Sequence, residues 1–268
     1  MRLLVSAGEV SGDQHAAALV EALRARVPEL QAFGLAGDRC AGNGVRLLAH
    51  QKDLAVVGLV EAIGKLRFAA RLVKRLAAEA VERRADAAVL VDAPDFNLPL
   101  ARRLSKAGIP VVFFVSPQVW AWRASRAEEI ARLGRAILVL FGFEKSWYEA
   151  RGLGRNVVWV GHPLVDAAAQ VLGTDFGGPQ TVERSRRRVV VMPGSRTGEI
   201  RRNLPVMRDG VELLRRRHPD VDVALVRADS VSEELLREIG GPAVDGWTLV
   251  SGPHLALLAS SDVLLVAS

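Results

Sequence analysis

Four short segments of this 268-residue chain bring together residue types that do chemistry. The first runs Ser6-Ala7-Gly8-Glu9-Val10-Ser11-Gly12-Asp13. Its glycines let a backbone approach a ligand closely, and the N–H groups of a helix start favour an anion. A capped helix start fits the same residues, with Ser11 and Asp13 available near it. The spacing is not the G-x-G-x-x-G of a dinucleotide site. The second segment is Asp92-Ala93-Pro94-Asp95-Phe96-Asn97. A carboxylate such as Asp92, closing a very apolar strand, can serve as a general base. Asp95 and Asn97 fit a ligand contact or a helix cap. The third is Ser116-Pro117-Gln118-Val119-Trp120-Ala121-Trp122-Arg123. Flat indole faces suit a sugar or acyl surface, and they serve equally as core anchors. The fourth is Pro193-Gly194-Ser195-Arg196-Thr197-Gly198-Glu199-Ile200. There a glycine turn and the charged fork of Arg196 can hold a phosphate without a metal, with Glu199 as a helix-start residue.

All four segments follow short apolar runs, which read as buried strands. Strands are expected at residues 3–6, 32–35, 87–92, 111–115, 136–140 and 157–160. Helices are expected at 11–26 and near 59–83, 97–107, 123–133 and 144–150. Strand–helix alternation with fully apolar strands predicts an α/β fold, a parallel sheet covered on both faces. Residues 171–187 break the pattern with a Gly- and Pro-containing stretch and a basic run, as a linker does. The alternation then restarts, with strands at 188–192, 221–226, 248–250 and 262–266 and a helix from about Glu199. The expected organisation is therefore a domain over 1–170, a linker, and a second domain over 188–268. Because the last apolar strand meets Ser268 with no crossover helix after it, the second domain is expected to be incomplete.

Composition narrows the function classes. Half of the residues are hydrophobic and the net charge is +6, mostly from arginine. That balance suits anionic substrates or an anionic surface. No aromatic–basic interleaving or zinc spacing supports nucleic-acid binding. The single cysteine, Cys40, fits a reducing compartment. No apolar run has the length of a signal-peptide core or a membrane span. Residues 59–76 alternate Leu59, Ile63, Leu66 and Val73 with Lys65, Arg67, Arg71, Lys74 and Arg75. Both a membrane-surface helix and an ordinary sheet-covering helix look like this. The D-x-D spelled by Asp220 and Asp222 falls at the wrong sheet end for a metal site. His50, His218 and His254 have no partner motif and read as surface or structural residues.

Eight segments in order resemble the lipid-A-disaccharide synthase family of glycosyltransferases, and they cover essentially the whole chain. They are SAGEVSGD at 6–13, VVGLVEAIGKL at 56–66, DAPDFN at 92–97, SPQVWAWR at 116–123, FGFEKSWY at 141–148, VGHPLVD at 160–166, MPGSRTGEI at 192–200 and SSDVLLVAS at 260–268. The resemblance implies the GT-B arrangement, two facing Rossmann-like domains with the active site in the cleft. It implies transfer of 2,3-diacylglucosamine from UDP to 2,3-diacylglucosamine 1-phosphate, forming a β(1→6) bond with inversion and releasing UDP. It implies no cofactor and no metal. The implied setting is the cytoplasmic side of a Gram-negative inner membrane, with peripheral contact to its anionic surface and room for an oligomer. Asp92 is then the implied base, and Arg196 stabilises the departing diphosphate. Glu9, Ser11, Gly12, Asp13, Asp95, Asn97, Gln118, Trp120, Gly194, Ser195 and Glu199 are the implied substrate contacts. His162 is implied near the domain junction, with no assigned role. The family continues past the final motif with a Gly-Thr-rich loop and a Glu-bearing helix, so a chain ending at Ser268 is expected to be inactive. The alternatives are another GT-B UDP-sugar enzyme, such as an epimerase, or a non-catalytic lipid-sugar binding fragment.

Overall fold

The computed structural model of the protein describes residues 1–54, 62–121, 123–172, 187–228, 230–252 and 255–267. Most of the expected linker lies outside them, as do Leu59, Trp122 and His254, and the side chains of Ile63 and Lys65. The chain divides into two compact units, Met1–Pro163 and Leu164–Ser268.

The first unit is built in the order β1 (Arg2–Ala7), α1 (Val10–Arg26), β2 (Gln31–Ala36), α2 (Asp38–Gly42), β3 (Arg46–His50), α3 (Ala62–Glu82) and β4 (Ala87–Val91). It continues with α4 (Pro94–Lys106), β5 (Val111–Phe114), α5 (Ala127–Leu133), β6 (Gly134–Val139), α6 (Gly142–Glu149) and β7 (Val157–Trp159). The strands form one parallel sheet in the order β3-β2-β1-β4-β5-β6-β7. Strand order reverses between β1 and β4, the place where open α/β sheets leave a crevice at the strands' carboxyl ends. Because successive strand residues face opposite ways, Leu4 and Leu90 pack under α3, α4 and α5, with Leu72, Leu76, Leu100, Leu104 and Ile130. Leu3, Val5, Ala7, Val89 and Val91 face the other layer, with Ala16, Ala17 and Val20 of α1 and Cys40 of α2.

The second unit opens with α7 (Pro163–Leu172) and continues with β8 (Arg188–Met192), α8 (Thr197–Arg217), β9 (Asp222–Arg227), α9 (Glu233–Gly240), β10 (Thr248–Ser251), α10 (Leu255–Ala259) and β11 (Val263–Val266). Its sheet is also parallel, in the order β10-β9-β8-β11. Val189, Val191 and Leu225 pack against Ile200 and Leu204 of α8. Val190, Ala224 and Val226 face Leu257 and Leu258 of α10.

The expected strands are present, with three instructive differences. First, β3 lies where no strand was expected, because a half-polar edge strand flanked by Arg46 and His50 lacks a continuous apolar run. Second, Asp92 is not in a strand: β4 ends at Val91, and Asp92 (φ 46°) and Ala93 (φ 41°) turn left-handed. Third, α1 begins at Val10 and α4 at Pro94, and neither start carries a side-chain cap. Proline supplies the α4 start directly, since its fixed φ suits a first helical position.

In α3 the buried stripe is Leu72, Val73, Leu76 and Ala80, while Arg67, Arg71, Lys74 and Arg75 are exposed. Most of that helix therefore covers the sheet, and Leu66 and Phe68 stand out at its start. At its far end, Ala85 N–H donates to the Ala80 carbonyl at 2.8 Å and Arg84 N–H to Val81 at 2.9 Å. This paired closure puts Arg84 at φ 50°, where Gly44, Gly108 and Gly152 stand at the matching helix ends. A side chain is strained in that conformation. Arg84→Gly should therefore stabilise the first unit by about 0.5–1 kcal/mol, a Tm rise of about 2–4 °C. A thermal melt with no rise would show that Arg84 is not strained.

Candidate active site

The parallel sheet brings the carboxyl ends of all seven strands of the first unit to one edge, and most of the sequence-derived candidates lie there. After β4, the left-handed turn at Asp92–Ala93 holds the Asp92 carboxyl half-buried. After β5, Val115 is also left-handed, at φ 55°. Positive φ is costly for a β-branched residue. Such strain on adjacent strand ends is a mark of a functional edge. Between these turns and the start of α6 lies a cleft of about 230 Å³, lined by Asp92, Ser116, Gln118, Leu140, Phe141 and Glu144.

Burial pushes the Asp92 carboxyl above the ordinary carboxylate range, and the nearby Glu9 charge adds to the shift. A hydrogen bond from the Ala93 N–H opposes it. The result is a carboxylate with raised basicity facing an open cleft, as general-base chemistry requires.

Glu144 is the residue that sequence reasoning missed. It is 4 % exposed. Its Oε2 accepts from the Leu140 and Phe141 N–H groups at 3.1 and 3.0 Å. Its Oε1 accepts from Trp120 Nε1 at 3.2 Å. One carboxylate thus closes the start of α6 and fixes the Gln118–Trp120 loop over the cleft. An acid at the third helical position is the available signal, but the usual polar N-cap is replaced by Phe141. Trp120, Phe141 and Phe143 then form an exposed aromatic cluster, with ring centroids 4.9 and 5.7 Å apart. Flat apolar faces of this kind suit a sugar ring or an acyl chain.

A second groove, of about 520 Å³, lies at the same edge between Glu9, Asp95, Leu54, Leu66, Phe68 and Phe96. Asp95 is no helix cap: its carboxylate pairs with Arg123 at 3.0 Å and Arg126 at 2.7 Å. The Arg126 hydrogen bond, with Arg123 beside it, holds Asp95 below its usual range. His15 of α1 lies 6.3 Å from His162 between ring centroids, and His162 lies 5.5 Å from Phe141. Burial and then the His162 charge lower the His15 pKa.

Three candidates are turned into the fold. Asp13 is 2 % exposed and spends its carboxylate on the start of α2. It accepts from Gly37 at 2.7 Å, Arg39 at 3.0 Å and Cys40 at 3.3 Å. It is a helix cap, but for a helix more than twenty residues downstream. Asn97 is fully buried, bonded to Ser6 Oγ at 2.7 Å and to the Val91 and Asp92 carbonyls at 3.0 and 2.8 Å. It locks the Asp92 turn from behind. Gly12 is buried, with Val91 and Ala7 at ordinary contact distance, and Ser11 is exposed on α1. His50 has a structural role, bonding Asp38 at 3.1 Å and accepting from the Lys52 N–H. Cys40 is buried, and burial pushes its thiol pKa far up.

In the second unit, Gly194 (φ 126°) turns the chain into α8. Glu199 reaches back to accept from the Ser195 and Arg196 N–H groups at 3.0 and 3.2 Å, and pairs with Arg196 at 3.0 Å. These contacts, the Ser195 N–H first, hold its pKa below the usual range. The chain's own carboxylate therefore sits where a helix start would hold an anion. Asp222 of the D-x-D pairs with Arg188 at 2.7 Å, at the amino end of β9. Among the described residues no group of three or more His, Cys, Asp or Glu could hold a metal. Among them, too, no helix is long and apolar enough to cross a membrane.

Two Rossmann-like parallel sheets with this strand order define a chain of the GT-B class. The UDP-GlcNAc 2-epimerase of Neisseria meningitidis, solved with UDP-GlcNAc bound, matches all of this chain and 78% of its own, with a TM-score of 0.67 at 11% identity. The S. aureus MnaA–UDP structure matches all of this chain and 74% of its own, with a TM-score of 0.63 at 10% identity. At such identities the likeness is one of fold. In sequence, the lipid-A-disaccharide synthetase family matches over residues 3–268. The lipid-A-disaccharide synthase of Myxococcus xanthus is 39% identical over 269 residues, all of this chain and 70% of that enzyme. That of Geobacter sulfurreducens is 40% identical over 238 residues, 87% of this chain and 60% of that enzyme. The chain belongs to the lipid-A-disaccharide synthase family.

Proposed function

We propose that the protein joins UDP-2,3-diacylglucosamine to 2,3-diacylglucosamine 1-phosphate, giving the β(1→6) lipid A disaccharide 1-phosphate and UDP. The observation that carries this reading is Asp92, a half-buried carboxylate of raised pKa on strained backbone at the sheet's carboxyl edge. Its carboxylate takes the proton of the acceptor 6-hydroxyl as that oxygen attacks the anomeric carbon. The bond from that carbon to the diphosphate breaks on the opposite face, so the centre inverts. The first domain (1–170) takes the acceptor and lies against the anionic inner face of the inner membrane, with Leu66 and Phe68 beside the apolar groove. The second (188–268) takes the UDP-sugar, and residues 171–187 link them. Gln118 and Trp120 contact the sugar or its acyl chains, and Glu9 and Asp95 border the acceptor side.

Negative charge develops on the departing diphosphate. Arg196 and the N–H groups after Gly194 stabilise it without a metal, the diphosphate replacing the Glu199 carboxylate that now accepts from them. Because the Arg196 side chain is 73% exposed, Arg196→Ala should leave stability unchanged and, in a protein of the relatives' length, lower kcat about 10²-fold. Unchanged kcat and KM for the UDP-sugar would move the donor site elsewhere. The reading as a whole is tested in a protein of the relatives' length, given both acylated substrates. Mass spectrometry should find disaccharide 1-phosphate and UDP, with a β linkage by NMR. An epimerised UDP-sugar with no disaccharide would replace it.

A further inference from the structure

At the opposite edge of the first sheet, where β1, β2 and β3 begin, lies a cavity of about 470 Å³. Its floor is apolar, with Leu30 and Phe33 each about 3% exposed. Its walls carry four guanidinium groups, those of Arg2, Arg24, Arg46 and Arg83, and no carboxylate lines it. Two carboxylates stand behind the wall. Glu79 binds Arg83 Nε at 2.8 Å, and Asp86 accepts from the Arg2 backbone N–H at 2.6 Å. Four cations against two anions leave the cavity strongly positive.

Part of this has a local cause. Arg24 lies in the last turn of α1 and Arg83 just past α3, where cations complement helix carbonyls. Arg24 donates to the Gly44 carbonyl at 2.9 Å, and Arg2 to that of Arg83 at 2.8 Å. Helix-end preference does not explain the rest. Arg46 begins a strand and makes no ion pair among the described residues. Arg24 Nε is buried with no acceptor among the described residues, so nothing offsets the loss of its water partner. The Arg83 guanidinium lies over the Phe33 ring, 5.2 Å from its centroid, and so is held at the floor. Like charges gathered around a ligand-sized hollow repel one another unless an anion sits among them.

We propose that this cavity is a second anion site, remote from the Asp92 edge, which takes a phosphate-bearing group with a small apolar flank. Guanidinium forks match phosphate oxygens, and Leu30 and Phe33 meet the apolar part. That chemistry is shared by a free phosphate ester and by a phospholipid headgroup. The site stands apart from the proposed transfer reaction, and its test needs no turnover.

Calorimetry with inorganic phosphate, at low salt, probes the free anion. Co-sedimentation with phosphatidylcholine vesicles containing phosphatidylglycerol probes the headgroup. Three variants are compared: Arg46→Glu, which breaks no side-chain hydrogen bond or ion pair among the described residues; Arg24→Gln, which keeps a donor for Gly44; and Arg103→Glu, an exposed charge reversal on α4. The expected result is binding in at least one arm, weakened about tenfold or more by Arg46→Glu and Arg24→Gln and unaffected by Arg103→Glu. Response to phosphate in solution identifies a free ester as the source; response to vesicles alone identifies a headgroup. Binding in neither arm, or equal loss with Arg103→Glu, overturns the proposal. Circular dichroism of Arg46→Glu must match the parent, so that lost binding is not lost folding.

Discussion

In a protein of the relatives' length, Asp92→Asn lowers turnover by about 10²–10⁴-fold, the range that a positioned general base supplies, and it raises rather than lowers the melting temperature. The two effects share one cause. Burial and the Glu9 charge raise the folded-state pKa of Asp92 above its unfolded value. The folded protein therefore binds that proton more tightly than the unfolded chain does. Stability falls as pH climbs from the ordinary carboxylate range through the raised pKa. At neutral pH the ionised side chain is a cost that a neutral amide removes. Asparagine also tolerates the left-handed backbone at φ 46°. A lowered Tm would mean that the Asp92 charge stabilises the fold, and near-wild-type turnover would assign the base elsewhere. The pH profile gives an independent check. The acid limb of kcat/KM should lie above the ordinary carboxylate range. Glu9→Gln should move it to lower pH, because a like charge is gone. An unmoved limb would sever Glu9 from the base.

Gly34→Ala should destabilise the first unit by more than about 3 kcal/mol, a large fraction of a domain's stability. Gly34 sits inside β2 at φ 149°, opposite Val5 of β1. A Cβ there would overlap the Val5 carbonyl oxygen, a backbone atom that cannot swing aside. Strand pairing on the other side is already irregular between Gly34 and Leu35, where β2 meets β3. Relief would require parting β1 from β2 next to the Glu9 loop, so the site edge would be lost with the fold. Urea unfolding measures the effect; a loss below about 1 kcal/mol would mean that the strand can twist to admit a methyl.

The sequence alone determined the alternating architecture, because each buried strand is a continuous apolar run and each is followed by a helical pattern. It also put the chemistry-bearing segments directly after strands, and a parallel sheet carries such segments to one edge whatever else the chain does. Local pattern could not reveal partners that are distant in sequence. Asp13 reads as a cap for its own helix, yet it closes α2, which reaches it only when β2 pairs beside β1. Asn97 reads as a cap or a ligand contact, yet it ties Ser6 to the Asp92 turn across ninety-one positions. Glu144 follows no polar N-cap signal, and its hold on Trp120 exists only because the fold brings that loop over it. The four arginines around the amino-edge cavity come from four separate stretches of the chain. Residue type and spacing fix what a segment can do near itself. Burial, strain and charge at a site depend on which segments the sheet brings side by side, and only the tertiary structure decides that.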